Sequence, residues 1–66
     1  MRVKVDKETD TLYFRLDEER VKESEEIRPG VIIDYDENNN VVGVEFLHIS
    51  ERMSDKEMTS FQIQTA

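Results

Sequence analysis

Five oxygen-bearing residues fall at the spacing of a calcium-binding loop. Asp34, Asp36, Asn38, Asn40 and Glu45 occupy positions 1, 3, 5, 7 and 12 of that pattern, with the apolar Val41 at position 8. Calcium takes hard oxygen ligands, and carboxylates and amides at this spacing supply them as the backbone curls round the ion. Two features point the other way. The glycine that makes the sharp turn at position 6 is replaced by Asn39, although Asn adopts the left-handed conformation more readily than most residues. The flanks alternate with period two, whereas a helix–loop–helix calcium site needs the helical period. The competing reading is a hairpin turn, in which Asp and Asn are favoured for conformational reasons alone.

The other chemically equipped residues are fewer. Asp6-Lys7-Glu8-Thr9-Asp10 begins like a cation loop but has neither a glycine nor a closing glutamate, so a solvated turn is expected. If both hairpin turns lay at one end of a sheet, Asp6, Asp10, Asp34 and Asp36 would form an acidic rim suited to a divalent ion or a basic partner. His48 is the single histidine of the chain, and no nucleophile–base pair is expected at it. Asp34 and Glu45 are a carboxylate pair of the kind used in acid–base catalysis. In a chain with 16 acidic residues such pairs arise by chance, and a small sheet offers no deep cleft. Neither catalysis, nor a cofactor, nor a metal is expected; the five-residue set is the one metal candidate.

These residues have to be positioned by strands. Met1–Asp6 and Thr11–Leu16 alternate apolar and polar side chains and are joined by a polar turn, which predicts strands near 2–6 and 11–16 in a hairpin. Val21–Ile27, with Glu23, Glu25 and Glu26, predicts a charged edge strand near 21–27, with a short helical turn as the competing reading. Arg28-Pro29-Gly30 predicts a type II turn, because Pro pre-sets φ and Gly accepts the positive φ that follows. Val31–Leu47 is the most apolar stretch and predicts a hairpin with strands near 31–36 and 41–47. The period then changes. Ser54-Asp55-Lys56-Glu57 has the form of a capping box, predicting a helix near 50–59, with a break into two turns at Ser54 as the competing reading. Phe61–Thr65 alternates again and predicts a short strand at 61–65, with a frayed helix end as the alternative.

Composition bounds what this assembly does. Sixty-six residues make one domain, and a chain of that size buries only roughly 60% of the surface exposed when unfolded. With no cysteine there are no disulfides, zinc–thiolate sites or thiol nucleophiles, so oligomerisation is the remaining route to stability. A net charge of −7 without a basic stripe disfavours nucleic acids and anionic membranes. No apolar run has the length of a membrane span and no signal-peptide pattern begins the chain, so a cytoplasmic protein is expected.

Several of these pieces occur together in a pattern. Asp6…Asp10-x-Leu12-Tyr13-x-x-Leu16, Glu23-Ser24-Glu25-Glu26 leading to Pro29-Gly30-Val31, Asp34-Tyr35-Asp36 and Gly43-x-Glu45 resemble a family of small prokaryotic proteins, the domain of unknown function twenty-two eighty-three. The resemblance covers roughly residues 1–53. The chain departs from it at Asn39, near which members often carry glycine, and at His48, near which they often carry a small or acidic residue. The family implies no established activity and no catalytic residues. Some members look like small partners encoded beside ribonuclease-like toxins, which implies an antitoxin by neighbourhood.

The expected fold is α+β: a small, mostly antiparallel sheet of four or five strands in hairpin and meander order, with one short C-terminal helix. Its apolar face combines Val3, Val5, Leu12, Phe14, Leu16, Val31, Ile33, Val42, Val44 and Phe46, more than a short helix covers. The expected function is a non-enzymatic protein-binding or assembly module that partners itself, with Val42, Val44, Phe46, Ile49, Met53, Phe61 and Ile63 as interface candidates. An antitoxin-like partner of a small basic protein is the alternative, and an acidic-turn cation binder the third.

Overall fold

The computed structural model describes residues 1–65. Five antiparallel strands form one sheet: β1 (Arg2–Asp6), β2 (Thr11–Arg15), β3 (Glu23–Arg28), β4 (Val31–Tyr35) and β5 (Val41–Leu47). A 3-10 turn, Ile49–Glu51, and one helical turn, α1 (Asp55–Met58), follow. No helix among the described residues is long and apolar enough to cross a membrane. The strand order is β1-β2-β5-β4-β3. A β1–β2 hairpin and a β3–β4–β5 meander are therefore joined by the pairing of β2 with β5.

Local chemistry sets the turns. Gly30 has φ 80°, as a type II turn requires of its second central residue, and the Glu26 carboxylate accepts its N–H at 3.0 Å. Asn39 takes the left-handed conformation, φ 64°, between β4 and β5. A β-bulge where Asp34 and Tyr35 face Gly43 and Val41 leaves Val42 unpaired with β4. The Val42 carbonyl instead accepts the N–H groups of Leu16 and Asp17, which anchors the start of the long connector from β2 to β3.

The core lies on one face of the sheet. Leu12, Ile49 and Met58 are buried together, with Val5, Phe14, Phe46 and Met53 packed against them. Phe14 and Phe46 meet edge to face, with ring centroids 6.2 Å apart. This cluster draws on β1, β2, β5 and the C-terminal turns. Val31 and Ile33 on β4 remain half-buried, and β3 is exposed throughout.

The C-terminal segment follows the broken-helix reading and departs from expectation at residues 61–65. The helix near 50–59 is two separate turns, because Ser54 is extended (φ −76°, ψ 163°) and caps α1 instead of continuing the first turn. Its capping box forms in full: Ser54 Oγ accepts the Glu57 N–H at 3.2 Å and Glu57 Oε1 accepts the Ser54 N–H at 3.0 Å. Residues 61–65 are not a strand. Their alternation is present, but no neighbouring strand supplies a ladder, and Phe61 and Ile63 stay exposed.

Candidate functional site

The most developed polar constellation lies on the opposite face, over Gly43. In cross-strand register, Arg15, Gly43, Asp34 and Ser24 form one row through β2, β5, β4 and β3. Tyr13, two residues along β2, shares the face with Arg15 and reaches diagonally over the glycine. Its hydroxyl donates to Asp34 Oδ2 at 2.7 Å, while Ser24 Oγ donates to Asp34 Oδ1 at 2.6 Å. Arg15 Nη1 donates to the Tyr13 oxygen at 3.1 Å, and the rest of its guanidinium holds the connector through the carbonyls of Asp17 and Glu19. β2 and β4 lie about 9–10 Å apart across β5, a span a tyrosine bridges only if the residue beneath it has no side chain. A Cβ at position 43 would stand 3.0 Å from both Asp34 Oδ2 and Tyr13 Cζ.

The electrostatics of this clasp favour hydrogen bonding. Burial and then the Asp34 carboxylate push the Tyr13 phenol above its ordinary range, with Arg15 opposing them. The phenol therefore stays protonated and donates. Each of these side chains already has a partner, so the group acts first as a fastener of four strands and the connector. Strand alternation places Tyr13 on the face opposite Leu12 and Phe14 but assigns it no partner. The available signal was a lone glycine inside an apolar strand beside a tyrosine strand.

The five candidate metal ligands divide between the clasp, the turn and β5. Both oxygens of Asp34 serve the clasp. Asp36 Oδ1 accepts the N–H groups of Asn38 and Asn40, at 2.8 and 2.9 Å, and Asp36 Oδ2 takes the Asn40 amide at 3.4 Å. Those bonds, Asn40 first, hold the Asp36 carboxyl below its ordinary pKa. Asn38 and Asn40 are thus donors that close the turn, and Glu45 stands in register with Tyr13 and Ile32. Among the described residues no three His, Cys, Asp or Glu side chains are grouped to hold a metal.

The acidic rim does not assemble either. β2 and β5 run antiparallel, with Thr11 opposite Leu47, so the 7–10 turn lies at the end where β5 finishes and Asp36 lies where β5 begins. Each acid has a task of its own instead. Asp6 Oδ1 accepts the N–H groups of Glu8 and Thr9, and Asp10, left-handed at φ 57°, takes the N–H and hydroxyl of Ser50 at 3.0 and 2.7 Å. Asp10 thereby ties the C-terminal segment to the first hairpin, a contact 40 residues apart that no local pattern announces. His48 is exposed and left-handed (φ 52°) at the start of the 3-10 turn, which it does not cap through its side chain.

The interface candidates divide. Val42 and Ile49 are 1% and 3% exposed and belong to this chain's own interior, Ile49 in the cluster with Leu12 and Met58. Val44, Phe46 and Met53 are half-buried, and Phe61 and Ile63 project into solvent.

No curated protein and no solved structure matches the chain. The family described as a protein of unknown function (DUF2283) matches residues 2–50, which take in all five strands and the Gly43 clasp. The chain belongs to that family.

Proposed function

We propose that the chain is a non-enzymatic, cytoplasmic protein-binding module that assembles with copies of itself. One observation carries this reading. Among the described residues only Leu12, Val42, Ile49 and Met58 are buried hydrophobic residues, whereas Met1, Val3, Leu16, Ile27, Val41 and Phe61 are among the large apolar side chains left exposed. A chain this small gains stability by covering such surface with another copy. The clasp supports a scaffold rather than a catalyst, since Tyr13, Asp34, Ser24 and Arg15 are committed to one another. Sedimentation equilibrium at micromolar concentration tests the reading: a mass of two or more chains is expected, and a single-chain mass refutes it.

A second reading rests on β3. Its residues are all exposed and include Glu23, Glu25 and Glu26, an acidic edge suited to the cleft of a small basic protein such as a toxin. Co-purification of a basic protein encoded by the neighbouring gene is the expected result, and a β3 charge reversal that leaves the pair intact would remove this reading.

A further inference from the structure

The two edges of the sheet are unlike. β3 carries three glutamates and a register irregularity between Glu26 and Arg28, both of which discourage strand addition. β1 pairs regularly with β2 along its whole length and has neither bulge nor proline. An apolar strip follows this second edge. Val3 is 43% exposed, Met1 is 75% exposed, and Leu16 lies one residue beyond the Arg2–Arg15 pair at 49%. Three of the chain's exposed large hydrophobic side chains thus gather at the unprotected edge.

The sequence of β1, Arg2-Val3-Lys4-Val5-Asp6, is also complementary to itself. Placed antiparallel about Lys4, a second β1 sets Arg2 opposite Asp6 of the second copy, and Asp6 opposite its Arg2. Val3 then meets Val5 of that copy on the core face, and Val5 meets Val3. The charged groups retain capacity for these pairs. Arg2 uses Nε and Nη2 on Glu18, leaving Nη1, and Asp6 uses Oδ1 on the turn, leaving Oδ2. The like pair is Lys4 with Lys4 at the two-fold axis, on the exposed polar face. By contrast, β3 against its own copy brings glutamates together.

We infer that β1 is the self-association edge: two copies pair β1 to β1 about a two-fold axis, giving one continuous ten-stranded sheet with Val3 of each copy beside Val5 of the other at its centre. This rests on the self-assembly reading above and names its surface. Such an interface is isologous, so it closes at two copies and leaves only the glutamate-rich β3 edges outermost.

Charge reversal tests it, with sedimentation as the readout. Arg2→Glu places Glu opposite Asp6 and Asp6→Arg places Arg opposite Arg2, so each variant alone should weaken the dimer by about tenfold or more. An equimolar mixture of the two should re-form a heterodimer, in which every such pair is of opposite sign. Lys4→Thr, which removes the like pair, should tighten the dimer several-fold. Isotope-filtered NOE spectroscopy on mixed-label wild-type protein should show contacts from Val3 to Val5 between copies, whatever the variants do to folding. A wild-type dimer without those contacts, with both reversals still dimeric, overturns the β1 edge and leaves self-assembly standing. A monomeric wild type overturns both.

Discussion

Replacing Gly43 by alanine tests whether the clasp fastens the sheet. The new Cβ would lie 3.0 Å from Tyr13 Cζ and Asp34 Oδ2, so the ring has to leave its position over β5. The Tyr13–Asp34 bond, half-buried with a charged acceptor, is worth about 1–2 kcal/mol. Forcing the ring from its rotamer adds about 0.5–1.5 kcal/mol. Alanine returns about 0.5–1 kcal/mol by restricting the unfolded chain, since position 43 needs no left-handed backbone. The net loss is about 2 kcal/mol, which for a domain of this size lowers Tm by about 8–16 °C. Urea unfolding followed by far-ultraviolet circular dichroism, at one protein concentration, measures it. The decisive arm is a double-mutant cycle with Tyr13→Thr, which keeps a strand former but removes the ring. In that background Gly43→Ala should be neutral or stabilising. An unchanged urea midpoint for Gly43→Ala, or the same loss with and without the Tyr13 ring, refutes the clasp.

Four further outcomes are expected. Ser54→Ala removes the Oγ half of the α1 capping box, leaving only the residue-54 N–H on the Glu57 carboxylate, and should cost about 1 kcal/mol, with amide exchange accelerating at Met58. His48→Gly relieves a left-handed non-glycine residue and should raise stability by about 0.5–1 kcal/mol in urea unfolding; a loss would assign the imidazole a contact of its own. The carboxyl groups of Asp6, Asp36 and Glu57 are held below their ordinary range chiefly by the backbone N–H groups of Thr9, Asn40 and Ser54. A depressed folded pKa gives stability present above the unfolded value and lost as pH falls through the folded one, so Tm should hold at neutral pH and decline below about pH 4. Calorimetry showing a constant Tm into stronger acid contradicts this. Calcium should leave Tm unchanged, because Asp36 is occupied by the turn and Asp34 by the clasp; a rise would restore the loop as a cation site.

What the sequence announced was what neighbouring residues decide together. The alternation of Leu12, Phe14 and Leu16, and of Val42, Val44 and Phe46, marks β2 and β5 because side chains on a strand alternate between faces. Pro29-Gly30 and Ser54…Glu57 were legible for the same reason, each being a conformational problem solved within four residues. The acidic rim failed because turn placement depends on which strand β2 pairs with, and β5 lies some thirty residues away. The clasp was missed because it needs Arg15, Tyr13, Ser24, Asp34 and Gly43 from four strands at once. The calcium-like spacing has a local cause: Asp36 draws Asn38 and Asn40 into place as donors, so closing the turn is enough to account for the pattern. Phe61–Thr65 has the alternation of a strand and no ladder to join.

The strand order has a consequence for how the molecule comes together. β1–β2, β3–β4 and β4–β5 each join consecutive strands across short turns, while β2–β5 alone closes a long stretch of chain. The protein is thus two locally specified pieces sharing one seam, and the loop-closure entropy of folding is concentrated at that seam. The clasp lies across it, linking β2 on one side to β4 on the other. Tyr13 reaches Asp34 only when the two pieces have met in register, because a slip by one residue would turn its side chain to the opposite face. Its hydrogen bond therefore serves as a check on assembly, rewarding the correct docking of two halves that could each fold first.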